Sequence, residues 1–299
     1  MQRLVSGLIA LAMTLGSLAA RAAGDTKAAE LLAQARAALG GEKQLAKVEG
    51  LACTGTVQRA IGDRHVTGDV TINLQLPDKM LRSDSISPMG DAALVVTDQG
   101  INGDTLLRNM RTINTPPGAV VRTPPPPAPG SDAEAQALRN SRAELARMTI
   151  ALLLAAPSGV PVEFTYAGEA EAPEGKADVL DVKASGATTG STSFAAKLFL
   201  DKSNHRPLML AYRGLAPRVV VQAQRGAAPP PEAHTAQPAA PAPEMVDITM
   251  FFDEYKAIEG VLLPHRVTRS VGGETIEELT FKSVKVNPQF RPDAFQTDK

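Results

Sequence analysis

The stretch "HVTGDVTINLQLPDKMLRSD", residues 65 to 84, alternates apolar and polar residues at almost every step. Val66, Val70, Ile72, Leu74 and Leu76 fall on one side, with Thr67, Asp69, Thr71, Asn73 and Gln75 on the other. Successive strand side chains point to opposite faces, so this is the period of a half-buried β-strand. One dry face and one wet face imply antiparallel pairing, because parallel strands covered on both sides read as continuous apolar runs.

Segments of the same kind recur at 50–60, 79–87, 92–98, 101–108, 161–168, 177–184, 193–201, 206–213, 245–255, 260–270 and 275–286. Pro77-Asp78, Met89-Gly90 and Gln99-Gly100 are read as turns between them. The total is about eleven or twelve strands, and no strand–helix–strand alternation calls for a parallel sheet. "SFAAKLFLDKSNHRPLMLAYR" reads as a hairpin, with Phe194, Ala196, Leu198 and Leu200 on one face and Leu208, Leu210 and Tyr212 across from them.

Two helices complete the pattern. "DTKAAELLAQARAALGG" has Asp25 or Thr26 as its cap, an apolar face of Ala28, Leu31, Leu32, Ala35 and Leu39, and Gly40-Gly41 as its stop. The second opens at Ser131, with Glu134 three residues on as a capping box, and runs over about 132–155. Leu138, Leu145 and Leu152 form its stripe, joined by Ala135 and Met148. Its last turns, "MTIALLLAAP", are apolar on nearly every side, which predicts enclosure by protein.

Two proline tracts, 115–130 and 226–244, interrupt the strands. Consecutive prolines lack backbone N–H groups and favour polyproline II, so both are expected as exposed insertions outside the sheet. At the start, Arg3 precedes an apolar run from Leu4 to Ala20 and then Ala20-Arg21-Ala22, the pattern of a cleaved export signal. A signal peptide over 1–22 and a soluble mature domain over 23–299 are therefore expected, with a periplasmic or otherwise exported location. The run is shorter than an ordinary membrane anchor, and no other stretch is long enough to span a bilayer.

The single cysteine, Cys53, lies far from the apolar run, which excludes lipid attachment at a signal boundary and any internal disulfide. It reads as a small buried strand residue. A net charge of −1 without a basic block gives nucleic-acid binding no support, and the absence of Trp removes the commonest stacking platforms.

No catalytic constellation emerges. His65, His205, His234 and His265 show no metal-ligand spacing, and His265, beside Leu263 and Val267 on one strand face, reads as a buried, hydrogen-bonded histidine. Asp253-Glu254 and Glu277-Glu278 are adjacent in strands, so the two members of each pair point apart. Nucleophile-elbow, Walker and dinucleotide motifs are absent. No enzyme activity, cofactor or metal is expected. The apolar faces are compatible with an ordinary core or with a ligand cavity.

Several pieces, in order, resemble the periplasmic lipoprotein-carrier superfamily, which includes the outer-membrane lipoprotein-sorting proteins, their outer-membrane receptor and a related sensor domain. They are the helix ending "ALGG" followed by "LAKVEGLACTGTV", then "LQLPDKMLRSD", "AKLFLDKSNHRPLMLAYR", "FDEYKAIEGVLLPHRV" and "VKVNPQFRPDAF". The resemblance implies an α+β fold, a curved, unclosed antiparallel β-barrel with helices packed over its concave face and a hydrophobic cavity beneath them. It further implies binding of a lipid or the acyl chain of a lipoprotein, by a monomer. On that basis Leu145, Met148, Leu152, Leu198, Leu200, Leu210, Ile248, Met250, Phe252 and Leu263 are the candidate cavity residues. Alternatives are an envelope sensor, or an interaction module recruiting an envelope protein through a strand edge or the proline tracts.

Overall fold

The computed structural model describes residues 25–62, 64–88, 93–113, 127–172, 175–185, 194–215 and 244–297. The proposed signal peptide, the turn at Met89-Gly90 and nearly all of both proline tracts lie outside the described residues.

Among the described residues, twelve strands form one antiparallel sheet that does not close into a barrel. In chain order they are β1 (Gly50–Ile61), β2 (Arg64–Gln75), β3 (Lys79–Ile86), β4 (Leu94–Asn102), β5 (Thr105–Ile113), β6 (Val162–Ala172), β7 (Gly175–Ala184), β8 (Ala195–Asp201), β9 (Pro207–Leu215), β10 (Met245–Ile258), β11 (Val261–Val271) and β12 (Glu274–Val286). Across the sheet the order is β5-β4-β3-β2-β1-β12-β11-β10-β9-β8-β7-β6. Every pair is consecutive in sequence except β1 with β12. That pairing joins the first and last strands in the middle of the sheet and leaves β5 and β6 as its edges.

Helices α1 (25–38), α2 (Glu42–Leu45) and α3 (Asp132–Leu153) accompany the sheet. The apolar face read for α1 is buried from Ala28 to Leu39. Gly40 ends α1 at φ 120°, and a side chain there would strike Gly260 O, so the stop is also the point where α1 meets the β10–β11 turn. At α3 the Ser131 hydroxyl accepts from Glu134 N at 3.2 Å, while the Glu134 carboxylate reaches back to Gly130 N at 2.6 Å. The far end of α3 is enclosed as expected, with every residue from Met148 to Leu154 buried. Arg36 of α1 donates to Leu154 O at 3.0 Å and so caps that end.

The connection carrying α3 runs from one sheet edge to the other, and α3 itself touches β4, β5 and β9. It therefore bridges the two arms of the curved sheet across its concave face. Inward residues of alternating register, among them Val57, Ile72, Leu180, Leu198, Met250 and Leu279, form one core with α1 and α3. Leu81 and Leu107 point the other way and meet Phe295 on the convex face, where Phe290 and Phe295 stack edge to face at 5.0 Å. This seats the "VKVNPQFRPDAF" segment.

One sequence reading is corrected. Gln99-Gly100 is not a turn but lies inside β4, which turns instead at Gly103 with φ 61°. Gly100 is glycine because a Cβ at that position would lie 1.9 Å from Met80 O on β3, so close backbone approach, not turning, selects it. Gly100→Ala must push β4 off β3 and is expected to cost about 1–3 kcal/mol, as overpacking does. Chemical denaturation checks this, and an unchanged midpoint would contradict the close approach.

Candidate functional site

Between the concave face and α3 lies a cavity of about 1620 Å³. Ile72, Met80, Met148, Phe194, Tyr212 and Ile248 supply apolar and aromatic wall. The same cavity is lined by Arg59, Arg82, Asp84, Glu144, Arg147, Arg269 and Glu277. A smaller hollow of about 410 Å³, edged by Leu81, Asp98, Arg111 and Phe290, belongs to the seat of the C-terminal segment.

Strand register explains the charged cluster. On β3, Arg82 and Asp84 occupy the inward positions between Met80 and Ile86, so the dry face carries two charges. On β12 the inward series is Glu277, Leu279 and Phe281. Glu277 stands directly opposite Arg59 of β1 on one side and Arg269 of β11 on the other. Curvature lets Arg82 reach it across two strands: Arg82 Nη1 lies 3.0 Å from Glu277 Oε1 and Nη2 2.6 Å from Oε2, a bidentate fork. Arg82 Nε also donates to Asp84 at 2.8 Å, and Arg59 Nη2 bridges Asp84 at 2.6 Å and Glu277 at 2.7 Å.

The cluster continues into α3. Glu144 accepts from Arg269 and, at 3.3 Å, from Arg147 one turn along the helix. The Arg147 guanidinium stands 4.0 Å from the Tyr212 ring centre and 5.9 Å from that of Phe194. Sheet and helix are thus joined by ion pairs inside the protein. Among the described residues, the Nε atoms of Arg147 and Arg269 are shielded from solvent and have no hydrogen-bond partner.

Burial opposes the charge on Glu277, but Arg82 and Arg269 outweigh it and hold the carboxyl well below the usual carboxylate range. Glu144 behaves alike, with burial overcome by Arg269 and Arg147. Burial also works against the charge of Arg82, and Glu277 with Asp84 more than restore it. Glu277, Glu144 and Arg82 are therefore ionised at neutral pH. Burial alone pushes the Cys53 thiol up to about 12, so it is an inert core residue at neutral pH.

All ten candidate cavity residues are buried in the main core. Met148 and Ile248 line the cavity; Leu145, Leu152, Leu198, Leu200, Leu210, Met250, Phe252 and Leu263 pack in the surrounding core and are not among its lining residues. His265 is buried, with Nδ1 3.3 Å from Leu263 O. Asp253 and Glu254 are both exposed. Glu277 and Glu278 do point apart, yet this separation is what takes Glu277 into the interior while Glu278 faces Arg266 at 3.7 Å outside. Sequence reasoning passed over Arg82, Asp84 and Glu277. The available signal was a charge at an inward position of an alternating strand. Among the described residues no group of three or more His, Cys, Asp or Glu is placed to hold a metal ion, and no helix is long and apolar enough to cross a membrane.

No protein-family model matches the sequence, and no curated protein matches it. Solved structures similar to it include a LolA superfamily protein from Nitrosomonas europaea, at 12% identity and a TM-score of 0.46, covering 90% of this chain and 97% of that one. A putative outer membrane lipoprotein-sorting protein domain from Vibrio parahaemolyticus matches at 12% identity and a TM-score of 0.44, covering 91% and 97%. A DUF1329 family protein from Desulfovibrio piger matches at 10% identity and a TM-score of 0.46, covering 90% and 97%. The first two carry names from the superfamily that the sequence pieces resemble. Similarity at this level assigns no ligand to this chain.

Two expectations follow from the cluster. Glu277→Gln leaves Arg59, Arg82 and Arg269 short of a carboxylate and should cost about 3–5 kcal/mol, read as a lower Tm at pH 7. Because the folded pKa of Glu277 lies below its ordinary value of 4.5, its stabilisation is complete above about pH 4.5 and is lost as pH falls toward the folded value. The acid arm of the Tm–pH curve should therefore be shallower in Glu277→Gln; identical curves would remove the cluster's role. Cys53 should react with a thiol reagent only at the rate of unfolding, and rapid labelling of the native protein would contradict its burial.

Proposed function

We propose that this chain is an exported, non-enzymatic binding protein that holds a lipid, or the acyl chain of an acylated polypeptide, between its sheet and α3, in the manner of a carrier. The cavity carries this reading. Its volume of about 1620 Å³ exceeds the roughly 300–1,000 Å³ of sites for drug-sized ligands and suits a long flexible chain. Ile72, Met80, Met148, Phe194 and Ile248 offer that chain an apolar wall. The charged groups of the interior are engaged in ion pairs, with no nucleophile–base pair presented to a substrate among those described. The order of the segments that resemble lipoprotein carriers supports the same reading. So does the one continuous sheet of the described strands, and on this reading residues 23–299 are a single domain with the proline tracts as insertions.

A second reading, recruitment of an envelope protein by strand addition, is favoured by the two sheet edges and by the exposure of Met110 and Ile113 on β5. Met110→Lys with Ile113→Lys would then abolish co-purification of that partner, whereas unaltered recovery would dismiss the edge.

Native mass spectrometry of the protein, taken gently from its own envelope, tests the leading function. A discrete added mass that is lost on organic extraction and proves to be lipid is the expected result. Affinity for saturated chains should increase with length by about 0.8 kcal/mol per methylene, until the cavity is filled. A bare protein that also binds no fluorescent fatty-acid analogue would end this reading.

A further inference from the structure

The charged part of the cavity wall is not neutral. Four guanidinium groups, Arg59, Arg82, Arg147 and Arg269, face three carboxylates, Asp84, Glu144 and Glu277. Glu144 is shared between Arg269 and Arg147. Arg269 Nε is 3.8 Å from Glu277, too far for a hydrogen bond, and Arg147 Nε has no acceptor among the described residues. Elsewhere on the wall Asp181 is paired with both Lys183 and Lys197, which leaves one further positive charge, Asp247 is paired with Arg213, and Arg139 and Glu274 add one charge of each sign. The wall as a whole therefore carries a surplus of positive charge, and part of it lies where Glu144 of α3 meets Arg269 of β11.

The same place adjoins apolar surface. Arg147 lies against the rings of Tyr212 and Phe194, and both rings line the cavity. Leu215 and Met245 stand opposite each other at the ends of β9 and β10, line the cavity as well, and are 43% and 47% exposed. Large apolar side chains left in water at a cavity mouth form a lip over which a hydrocarbon chain can slide without full hydration.

We propose that the cavity recognises an anionic amphiphile, with a carboxylate or phosphate headgroup held by Arg147 and Arg269 and a hydrocarbon tail lying against the apolar wall. This rests on the reading of the cavity as a ligand site and adds the class of ligand. A headgroup with negative charge beside these guanidinium groups offsets the surplus, which a neutral headgroup cannot do and a cationic one aggravates. A carboxylate or phosphate could come from a lipid or from a free anion in solution, and the tail separates these sources.

The test compares ligands of one chain length on the unaltered protein by calorimetry: tetradecanoate, tetradecyl phosphate, tetradecanol and tetradecyltrimethylammonium, with inorganic phosphate alone. The expected result is binding of both anionic amphiphiles at least about ten-fold tighter than the alcohol, equivalent to about 1.4 kcal/mol. The cationic amphiphile should be weakest, and free phosphate far weaker than tetradecyl phosphate. In Arg147→Gln the preference for the anionic amphiphiles over the alcohol should shrink by about ten-fold. Equal binding of anionic and neutral ligands would overturn the headgroup assignment and leave the cavity reading intact. Free phosphate binding as tightly as tetradecyl phosphate would reduce the site to an anion site and overturn the amphiphile. Absence of binding by every ligand would overturn the cavity reading itself.

Discussion

The pairing of β1 with β12 holds the molecule together. Each strand before α3 pairs with its neighbour in sequence, and so does each strand after it, so the chain builds two separate meanders. Only the central seam makes them one sheet, from Leu51 opposite Val286 to Arg59 opposite Glu277. The seam is fastened at its entrance by Asn287, whose side-chain oxygen accepts from Glu49 N at 2.7 Å and Gly50 N at 3.2 Å and whose amide donates to Lys47 O at 2.8 Å. Without it neither meander has an opposing arm, the concave face has no second wall, and α3 has nothing to bridge.

The opposite end of the seam carries the buried charges. Removing ions from water costs several kcal/mol each, and a buried salt bridge recovers that only with full pairing and good geometry. The cluster is therefore better understood as a positioning device than as a source of net stability. Its pairings are specific to one alignment of β3, β1, β12 and β11, since the alternating period sends Glu277 to the outer face if β12 slips by one residue. Through Glu144 it also fixes where α3 lies over the sheet. The cavity owes its shape to this arrangement: the helix is held by ion pairs in one region and by the enclosed apolar turns from Met148 to Leu154 in another.

Much of the architecture was legible because period and capping are local. The alternation of β2, the stripe and capping box of α3, and the apolar face of α1 are each written in a few neighbouring residues. Gly100 was misread because its reason is another strand's carbonyl, which no local pattern contains. The cavity wall was harder for the same reason. The candidate leucines are inward-facing, but burial alone does not separate a residue packed in core from one that borders open space, and only Met148 and Ile248 border it. Arg82 and Glu277 are 195 residues apart and meet only through the seam, so the sequence shows each as an isolated charge on a dry strand face. Such a charge is costly unless partnered, and that cost is the readable sign of an interior polar site.

The central seam also orders events in time. Local hairpins can form as soon as their two strands exist, whereas the seam joins β1 to a strand more than two hundred residues later, with a correspondingly large loop to close. Until the 13 residues of β12 arrive, the guanidinium groups of Arg59 and Arg82 have no Glu277 to enclose, and burying them is unfavourable. The first meander must therefore wait, open and hydrated on its charged face, for β12. Completion of the sheet is coupled to the synthesis of its last strand, which sets the earliest moment at which the concave face can close.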